Sequence, residues 1–331
     1  SYAFDELDSC DERRYIRPIV ERYQISAAYI PCDDKWTLKN LPEWPISRDF
    51  VLADPYAGLP EAVMKAAQEA GVRLLLTGYF GDTLAGGARF WALDMLRDGQ
   101  LGSLATTVRN YSSRSLWQNF IFNRGLRQLL PDRLIRSYRS RRPRTTAPIA
   151  PGIHPSLILQ GNLEQRLSNR TGREKFATPG FGHRYQTLTA SNFSQGLAAT
   201  RHQYNQHGLE PALPYFDRRL VEFIMAVPAY VLGRPGYSRL LQRQAMIDYL
   251  PDIVWQRQRR TTFKPLMLKG LVDKERDTVR RILSDAQIVE RQYVRGDWLQ
   301  EQLQVPFKSS PEGTFLWLCI ALELWLKRYW S

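Results

Sequence analysis

The segment 74–87 carries the residue types that a phosphate-binding site needs. It reads LLLTGYFGDTLAGG, so a short apolar run leads directly into a loop with four glycines. Glycine lets the backbone approach a ligand closely and adopt positive φ, and successive backbone N–H groups can hold phosphate oxygens. Thr77 adds a hydroxyl, and Asp82 offers Mg²⁺ a hard oxygen ligand. A glycine-rich turn that simply starts a helix is the alternative interpretation, because such loops are common.

The elements before this loop would position it. The apolar run at 72–77 is typical of a buried parallel strand. Apolar residues at helical spacing predict a helix over 59–70, which Gly71 would end. The loop would therefore lie just past the carboxyl end of a strand, where open α/β sheets bind their ligands.

The N-terminal segment has the same alternation of strand and helix. Residues 2–4 and 25–30 read as short strands, and apolar residues spaced over 16–23 predict a helix between them. Ser9 and Glu12 have the spacing of a capping box at the start of that helix. Strands that alternate with helices predict an α/β fold with a doubly wound, mostly parallel sheet.

The pattern becomes helical from about Phe90 onward. Eight arginines lie between 124 and 144 and prolines follow them, which indicates a basic connection and a domain boundary near residue 150. We therefore predict an α/β domain at 1–150 and a mostly helical part at 151–331. The apolar stretch 315–326 is too short to span a bilayer and predicts a buried core helix.

Composition narrows the class of protein. The 331 residues are 44% hydrophobic and 24% charged, which excludes a disordered or low-complexity chain. The net charge of +13 favours polyanionic partners such as phosphate groups. Three cysteines and four histidines form neither a disulfide framework nor a zinc pattern, so a reducing, cytoplasmic setting is expected.

Two further stretches match one family pattern together with the loop. Residues 208–223 read GLEPALPYFDRRLVEF, and residues 238–246 read SRLLQRQAM ahead of Leu250-Pro251 and 257–263. These stretches resemble, in order, motifs of the C-terminal synthetase domain of the asparagine synthetase family. The family's patterns are Ser-Gly-x-Gly-Gly-Asp-Glu-Leu-x-Gly-Gly, Gly-x-Glu-x-Arg-x-Pro-Phe-Leu-Asp-x-x-Leu-Val-Glu-Phe and Lys-x-x-Leu-Arg-x-Ala, the last followed by Leu-Pro and Arg-x-x-Lys-x-x-Phe. The N-terminal Tyr2–Phe4 and Cys10–Arg13 segments fit as well.

The resemblance implies an ATP pyrophosphatase fold of the PP-loop, adenine nucleotide alpha hydrolase-like type, followed by a helical region. It implies ATP and Mg²⁺ as cofactors and a reaction in which a carboxylate is activated as its acyl-adenylate, an amine attacks, and AMP leaves. By family position or by the loop pattern, four residues would contact the nucleotide: Phe4, Thr77, Gly78 and Gly81. For Phe4 the contact with adenine would be through the backbone, and a plain core role is the alternative.

Three residues would carry the chemistry. Asp82 would bind the metal, and Arg239 stands where the family has a catalytic lysine. An arginine can clamp phosphate but is not equivalent to lysine, and a surface arginine is the alternative. Tyr79 gives a Thr-Gly-Tyr sequence that is similar to the cyclising β-lactam and carbapenam synthetases, where the tyrosine works with a glutamate as base. Residues 99–131 contain no Asp or Glu, so Tyr79 is equally well a pocket wall.

The chain also departs from the family pattern. Phe80, Thr83 and Ala212 replace a glycine, a glutamate and an arginine, and each replacement argues against asparagine as the product. The Thr-Gly-Tyr sequence, Ala212 and the arginine-rich connection favour a lactam or macrolactam product, as in lasso-peptide cyclases. Phe80 and Thr83 instead support a family member that has lost catalysis. The family's pyrophosphate-gripping Ser-Gly-Gly-x-Asp-Ser loop would precede Tyr2 and is not in the sequence, nor is a glutamine-hydrolysing domain. We therefore expect this chain to be a fragment.

Two interpretations follow. The first is an amide ligase that joins a small-molecule or peptide carboxylate to ammonia or an intramolecular amine, without nucleic-acid or membrane partners. The second is a catalytically inactive family member that serves as a binding module. Nucleic-acid binding through the arginines of 124–144 is a weaker third idea, because no known reader motif accompanies them.

Overall fold

The computed structural model describes residues 1–41, 48–49, 51, 54–86, 90–110, 149–169, 176–235, 237–257, 260–304 and 310–330. It has a mixed α/β architecture, mainly helical with a few parallel strands, which confirms the predicted α/β class. The strands are β1 (Tyr2–Ala3), β2 (Ile30–Pro31), β3 (Leu74–Leu76) and β4 (Glu210–Ala212).

The helices of the described residues are, in chain order, α1 (Arg13–Tyr23), α2 (Gly58–Glu69), α3 (Gly81–Ala85), α4 (Trp91–Arg97), α5 (Leu101–Asn110), α6 (Pro155–Gln160), α7 (Leu163–Asn169), α8 (Pro179–Leu188), α9 (Ser191–Asn205), α10 (Arg218–Ala226), α11 (Ala229–Leu232), α12 (Leu240–Ala245), α13 (Asp252–Trp255), α14 (Lys264–Leu268), α15 (Arg276–Leu283), α16 (Gln287–Glu290), α17 (Gly296–Gln304) and α18 (Ser310–Tyr329). Short 3₁₀ turns lie at Asp8–Cys10 and Pro214–Phe216, and a π-helix at Lys269–Lys274.

Contacts divide the chain into two compact units, each built from separated stretches of sequence. Unit 1 comprises Ser1–Ala66, Thr145–Gly172 and Thr261–Ser331. Unit 2 comprises Ala67–Arg144 and Arg173–Arg260. The division into domains at 1–150 and 151–331 stays a prediction, and the arginine-rich stretch 124–144 lies outside the described residues.

Unit 1 has its main core around the long helix α18. Leu316, Trp317 and Ile320 on this helix are almost wholly buried and pack against α15 and α16. This confirms the predicted core helix over 315–326. Within the described residues, no helix combines the length and the apolar character needed to cross a membrane.

The N-terminal elements of unit 1 form a small parallel sheet. Tyr2 pairs with Ile30 and Ala3 with Pro31, and α1 connects the two strands. The helix expected over 16–23 is confirmed. The capping box is wrong, because Ser9 lies in a 3₁₀ turn and the N-cap of α1 is Glu12, whose side chain forms no capping hydrogen bond. The strand expected over 25–30 is largely wrong as well, since β2 begins only at Ile30.

The strands of unit 2 form a second parallel pair. Leu74 pairs with Glu210, and Leu76 with Ala212. The predicted parallel strand is confirmed, and so is the helix over 59–70. Burial is where the prediction is wrong, because Leu74 is 54% and Leu76 72% exposed. A parallel strand is buried when helices cover both faces of its sheet, and this two-stranded pair leaves both side chains uncovered.

Candidate functional site

The loop after β3 in unit 2 is a tight turn held by its own backbone. Thr77 continues the strand pairing, since its N–H donates to the Ala212 carbonyl at 3.0 Å. The Thr77 hydroxyl oxygen then accepts from the N–H of Tyr79 at 3.3 Å, and the N–H of Gly81 donates to the Gly78 carbonyl at 3.2 Å. Space around Gly78 is open. The turn therefore presents Gly78 and Tyr79 to solvent at the carboxyl end of the strand.

Phe80 holds the strained position of this turn. Its φ is +68°, a left-handed conformation that costs an L-residue about 1–2 kcal/mol. Its ring lies 4.4 Å from the ring of Phe193 and 5.5 Å from that of Phe216, between ring centres. The family pattern has glycine here, so the loop keeps the conformation that a glycine would adopt, and aromatic packing offsets the strain of the substitution.

Gly81 opens α3 and is fully buried. A Cβ at this position would lie 3.0 Å from the ring of Tyr215. The hydroxyl of Tyr215 in turn accepts from the side-chain amide of Gln242 in α12 at 2.5 Å. Gly81 therefore lets the loop pack beneath Tyr215, and its contact with a nucleotide stays a prediction.

Asp82 lies between two arginines. Its carboxylate forms an ion pair with Arg239 and a second, at 3.5 Å, with Arg260. Arg239 precedes α12 as its N-cap and has a φ of +55°. Non-glycine residues in this conformation concentrate at functional sites. The structure thus brings together the predicted metal ligand and the predicted phosphate clamp.

More cationic groups support this cluster. The Arg243 side chain donates from Nε to the Ser238 carbonyl at 2.8 Å and from its other nitrogens to the carbonyls of Trp255 and Arg257. These bonds anchor the turn that carries Arg239. Burial lowers the pKa of Arg243, and the charges of Arg239 and Arg257 lower it further. We call Asp82, Arg239, Arg243, Arg257 and Arg260 the arginine cluster.

Arg260 was not predicted as a site residue. The signal was present, because Arg260 stands at the lysine of the family's Arg-x-x-Lys-x-x-Phe pattern, which begins at Arg257. Spacing alone could not show that Arg260 meets Asp82. The ion pair between Arg260 and Asp82 became visible only in the folded structure.

The other predicted residues occupy different surroundings. The ring of Tyr79 is 38% exposed and lies 6.2 Å from that of Phe80. Phe4 belongs to unit 1 and is fully buried beside Phe263. Its N–H donates to Asp11 Oδ1 at 3.2 Å and its carbonyl accepts from Arg13 at 2.6 Å. The adenine contact of Phe4 and the role of Tyr79 stay predictions.

The donor set suits a metal ion that is held mainly by its phosphate ligand. Among the described residues there is no group of three His, Cys, Asp or Glu side chains that could hold a metal by themselves. Mg²⁺ in nucleotide sites needs only one or two carboxylates, because phosphates and waters complete its shell. Asp82, 56% exposed and next to cationic side chains, fits that mode of binding.

Asp217 in the second motif has a structural role. It is the N-cap of α10, and its carboxylate accepts from the N–H and the guanidinium of Arg219. These bonds lower the pKa of Asp217 to about 2. The match to the family at this position is explained by the start of a helix.

Comparison with known proteins gives one match, to a family model. No curated protein and no solved structure matches the chain significantly. A family model described as asparagine synthase matches residues 1–327, which is nearly the whole sequence. The chain therefore belongs to the asparagine synthase family.

Proposed function

We propose that this protein joins a carboxylate to an amine in an ATP-dependent reaction that passes through an acyl-adenylate. Membership of the asparagine synthase family indicates an ATP-dependent amide ligase. The observation that carries the more detailed proposal is the arginine cluster at the end of β3. A single carboxylate beside several guanidinium groups suits a polyphosphate whose charge must be held and neutralised.

The proposed reaction has two balanced steps. A carboxylate oxygen of the substrate attacks the α-phosphorus of ATP, the bond to the β-phosphate oxygen breaks, and pyrophosphate leaves with that electron pair. The amine then attacks the acyl carbon, the bond to the AMP oxygen breaks, and a base removes the amine proton. Mg²⁺, when bound, would neutralise phosphate charge.

Each side chain has a proposed task in this scheme. Asp82 would hold the metal in place of its two arginine partners. Arg239 and Arg260 would then be released to clamp phosphate oxygens. Thr77 and Gly78, with the open space beside Gly78, would line the nucleotide. Tyr79 would face the amine, either as part of the base or as a wall of the pocket.

The finer features of the fold and the substrates belong to the same proposal. We infer a doubly wound, PP-loop type sheet, a cytoplasmic setting, and a small-molecule or peptide carboxylate as acyl substrate. The Thr-Gly-Tyr sequence favours an intramolecular amine over ammonia, as in the cyclising relatives.

The test is Mg-ATP-dependent release of AMP and pyrophosphate by the full protein across a panel of small carboxylates and linear peptides. We expect Asp82→Asn to abolish release, while Asp285→Asn, a change at an exposed aspartate of unit 1, leaves it unchanged. Arg239→Ala should lower turnover about 100-fold or more with little change in ATP affinity, since a clamp on developing charge acts in the transition state. Arg239→Lys should retain part of the activity. Near-normal release by Asp82→Asn would overturn the metal assignment.

Two observations favour the inactive alternative. The carboxylate of Asp82 already has two guanidinium partners, and Thr83 stands where the family has glutamate. A binding module would retain ATP affinity and release no AMP with any member of the panel. The same assay, with ATP binding measured by calorimetry, separates this result from the ligase.

A further inference from the structure

A second concave site lies in unit 2. A cavity of about 260 Å³ opens between α4, the start of α5, α11 and α12, and is lined by Met95, Gln100, Ser103, Tyr230, Val231, Arg234, Leu240 and Gln244. Met95 is buried and forms the floor, whereas Gln100, Ser103 and Gln244 are exposed at the rim. The cavity therefore has an apolar base beneath a polar rim.

The charge of the cavity comes from one arginine. Arg234 is the only ionisable group among the lining residues apart from the phenol of Tyr230. Within the part of the chain that the structure describes, the guanidinium of Arg234 has no hydrogen-bond or ion-pair partner. The nearby Asp98 accepts from the Tyr230 hydroxyl at 2.9 Å. The lining thus offers a cation to a ligand and contains no carboxylate.

The backbone holds Arg234 in place. Its N–H donates to the Tyr237 carbonyl at 3.0 Å, and the Tyr237 N–H donates back to its carbonyl at 2.8 Å. This reciprocal pair closes the turn between α11 and α12. A side chain that projects from such a braced turn loses less freedom on binding than one on an open loop.

The cavity and the arginine cluster use different faces of α12. Leu240 and Gln244, one helical turn apart, line the cavity. Gln242, between them, points to Tyr215, which covers Gly81 of the loop after β3. The cavity is therefore separate from the residues of the proposed nucleotide site, although Arg239 caps the same helix.

We propose that this cavity binds a small carboxylic acid with an apolar chain. The carboxylate would pair with Arg234, and the chain would lie on Met95, Val231 and Leu240. A volume of about 260 Å³ suits a molecule the size of an amino acid. The rim amides and the Ser103 hydroxyl supply hydrogen bonds to the second carboxylate oxygen or to a further polar group.

The test is direct binding of hexanoate to the full protein, measured by calorimetry, with hexanol as the uncharged probe of equal length. We expect saturable binding of hexanoate at millimolar concentration or below, and at least tenfold weaker binding of hexanol, because a charge-assisted pair is lost. Arg234→Gln should weaken hexanoate at least tenfold and leave hexanol unchanged. Arg201→Gln, at an exposed arginine of α9, is the matched control and should bind as the wild type does.

Leu240→Ala provides a second test of the apolar wall. It should weaken hexanoate and hexanol to a similar degree, about three- to tenfold, because the loss of buried apolar contact affects both. No saturable binding of hexanoate would overturn the proposal. Equal affinity for hexanoate and hexanol, or an unchanged affinity in Arg234→Gln, would overturn the role of the guanidinium. ATP is absent from these measurements, so their outcome is independent of the ligase proposal.

Discussion

Each of the two units buries a carboxylate against the start of a four-residue helix. The two carboxylates differ in how many of their oxygens accept hydrogen bonds. In unit 1, Glu323 is 0% exposed, and its two oxygens accept from the N–H groups of Gln287 and Ile288 at the start of α16. Lys327 lies 3.4 Å from it and also donates to the Ile282 carbonyl. Each of the two oxygens of Glu323 therefore accepts one N–H group at the start of α16.

In unit 2, Asp94 is 1% exposed, and its Oδ2 accepts from the N–H of Ala229 at the start of α11. The N–H of Gly180 in α8 also donates to this carboxylate. Its Oδ1 has no hydrogen-bond partner in the described structure. Burial raises the pKa of Asp94, although the two N–H groups and Arg184 act in the opposite direction.

Arg184, the buried positive charge that acts on Asp94, also lacks some of its hydrogen bonds. Arg184 is 4% exposed, and its Nη2 donates to the carbonyls of Met225 and Val227 at the end of α10. Its Nε and Nη1 have no partner in the described structure, and burial lowers its pKa. Buried polar atoms without partners cost about 1–3 kcal/mol each. The buried charged groups described in unit 2, which carries the arginine cluster, therefore have fewer of their hydrogen bonds than Glu323 has in unit 1. We expect local unfolding to begin around Asp94 and Arg184.

The largest effect is expected from Glu323. Glu323→Ala leaves the two N–H groups at the start of α16 without their acceptor and removes the ion-pair partner of Lys327. We expect a loss of about 3–5 kcal/mol in the free energy of unfolding, measured by urea denaturation. Glu323→Gln should lose about 2 kcal/mol, because its single oxygen can serve only one of the N–H groups. Glu290→Gln, at an exposed glutamate, should change little, and equal stability of all three variants would refute the cap.

A second effect concerns the space beside Asp94. A Cβ on Gly180 would lie 2.4 Å from Asp94 Oδ2 and 2.9 Å from the Cβ of Ala229. Gly180→Ala must displace the carboxylate or separate α8 from α11, so we expect a loss of about 2–3 kcal/mol. A variant as stable as the wild type in urea would show that the carboxylate does not sit against this helix.

Asp94→Asn tests the difference between the units directly. The amide oxygen can replace Oδ2 toward both N–H groups, so we expect a loss of only about 1 kcal/mol at pH 7, less than for Glu323→Gln. The reason is that Asp94 uses one oxygen where Glu323 uses two. A larger loss in Asp94→Asn than in Glu323→Gln would reverse the comparison.

The pH dependence of Asp94→Asn follows from the raised pKa of Asp94. The folded state binds the proton more tightly, so the contribution of this carboxyl to stability is complete below the ordinary Asp pKa of about 4. It is lost as pH rises through the raised pKa of the folded state. Asparagine does not ionise, so the deficit of Asp94→Asn should shrink as pH rises from about 4 toward neutral. A deficit that is constant with pH would contradict the raised pKa.

The sequence predicted elements whose signals are local. Helix α2 with its stop at Gly71, the core helix α18 and the parallel strand β3 follow from periodicity and composition. The burial of β3 could not be predicted, because exposure depends on how many strands and helices join the sheet. Ser9 failed as a cap because a 3₁₀ turn competes for the same residues.

Motif positions pointed to the site, but only the fold showed its pairings. Asp82 was identified from the glycine-rich loop and Arg239 from its match to a family motif, whereas their ion pair and the contact of Arg260 with Asp82 came from the structure. In the sequence, Phe80 only replaces the glycine of the family pattern. Its positive φ and its aromatic neighbours in the structure show how a large residue adopts the conformation of a glycine. Asp94 and Arg184 gave no sequence signal, because lone charges look like surface residues until burial is known.

The smallest effect separates helix propensity from contact with Asp94. Gly196 lies within α9, is exposed, and a Cβ there would meet no atom within 4 Å. Gly196→Ala should therefore stabilise unit 2 by about 0.5–1 kcal/mol in the same urea measurement, since alanine loses less backbone entropy in a helix. Gly180 is the second residue of α8, so Gly180→Ala gains at most as much in propensity. The difference between the two variants is therefore an upper value for the clash with the carboxylate and with Ala229. If both variants stabilise the protein equally, Asp94 does not approach α8, and the contrast between the two buried carboxylates disappears.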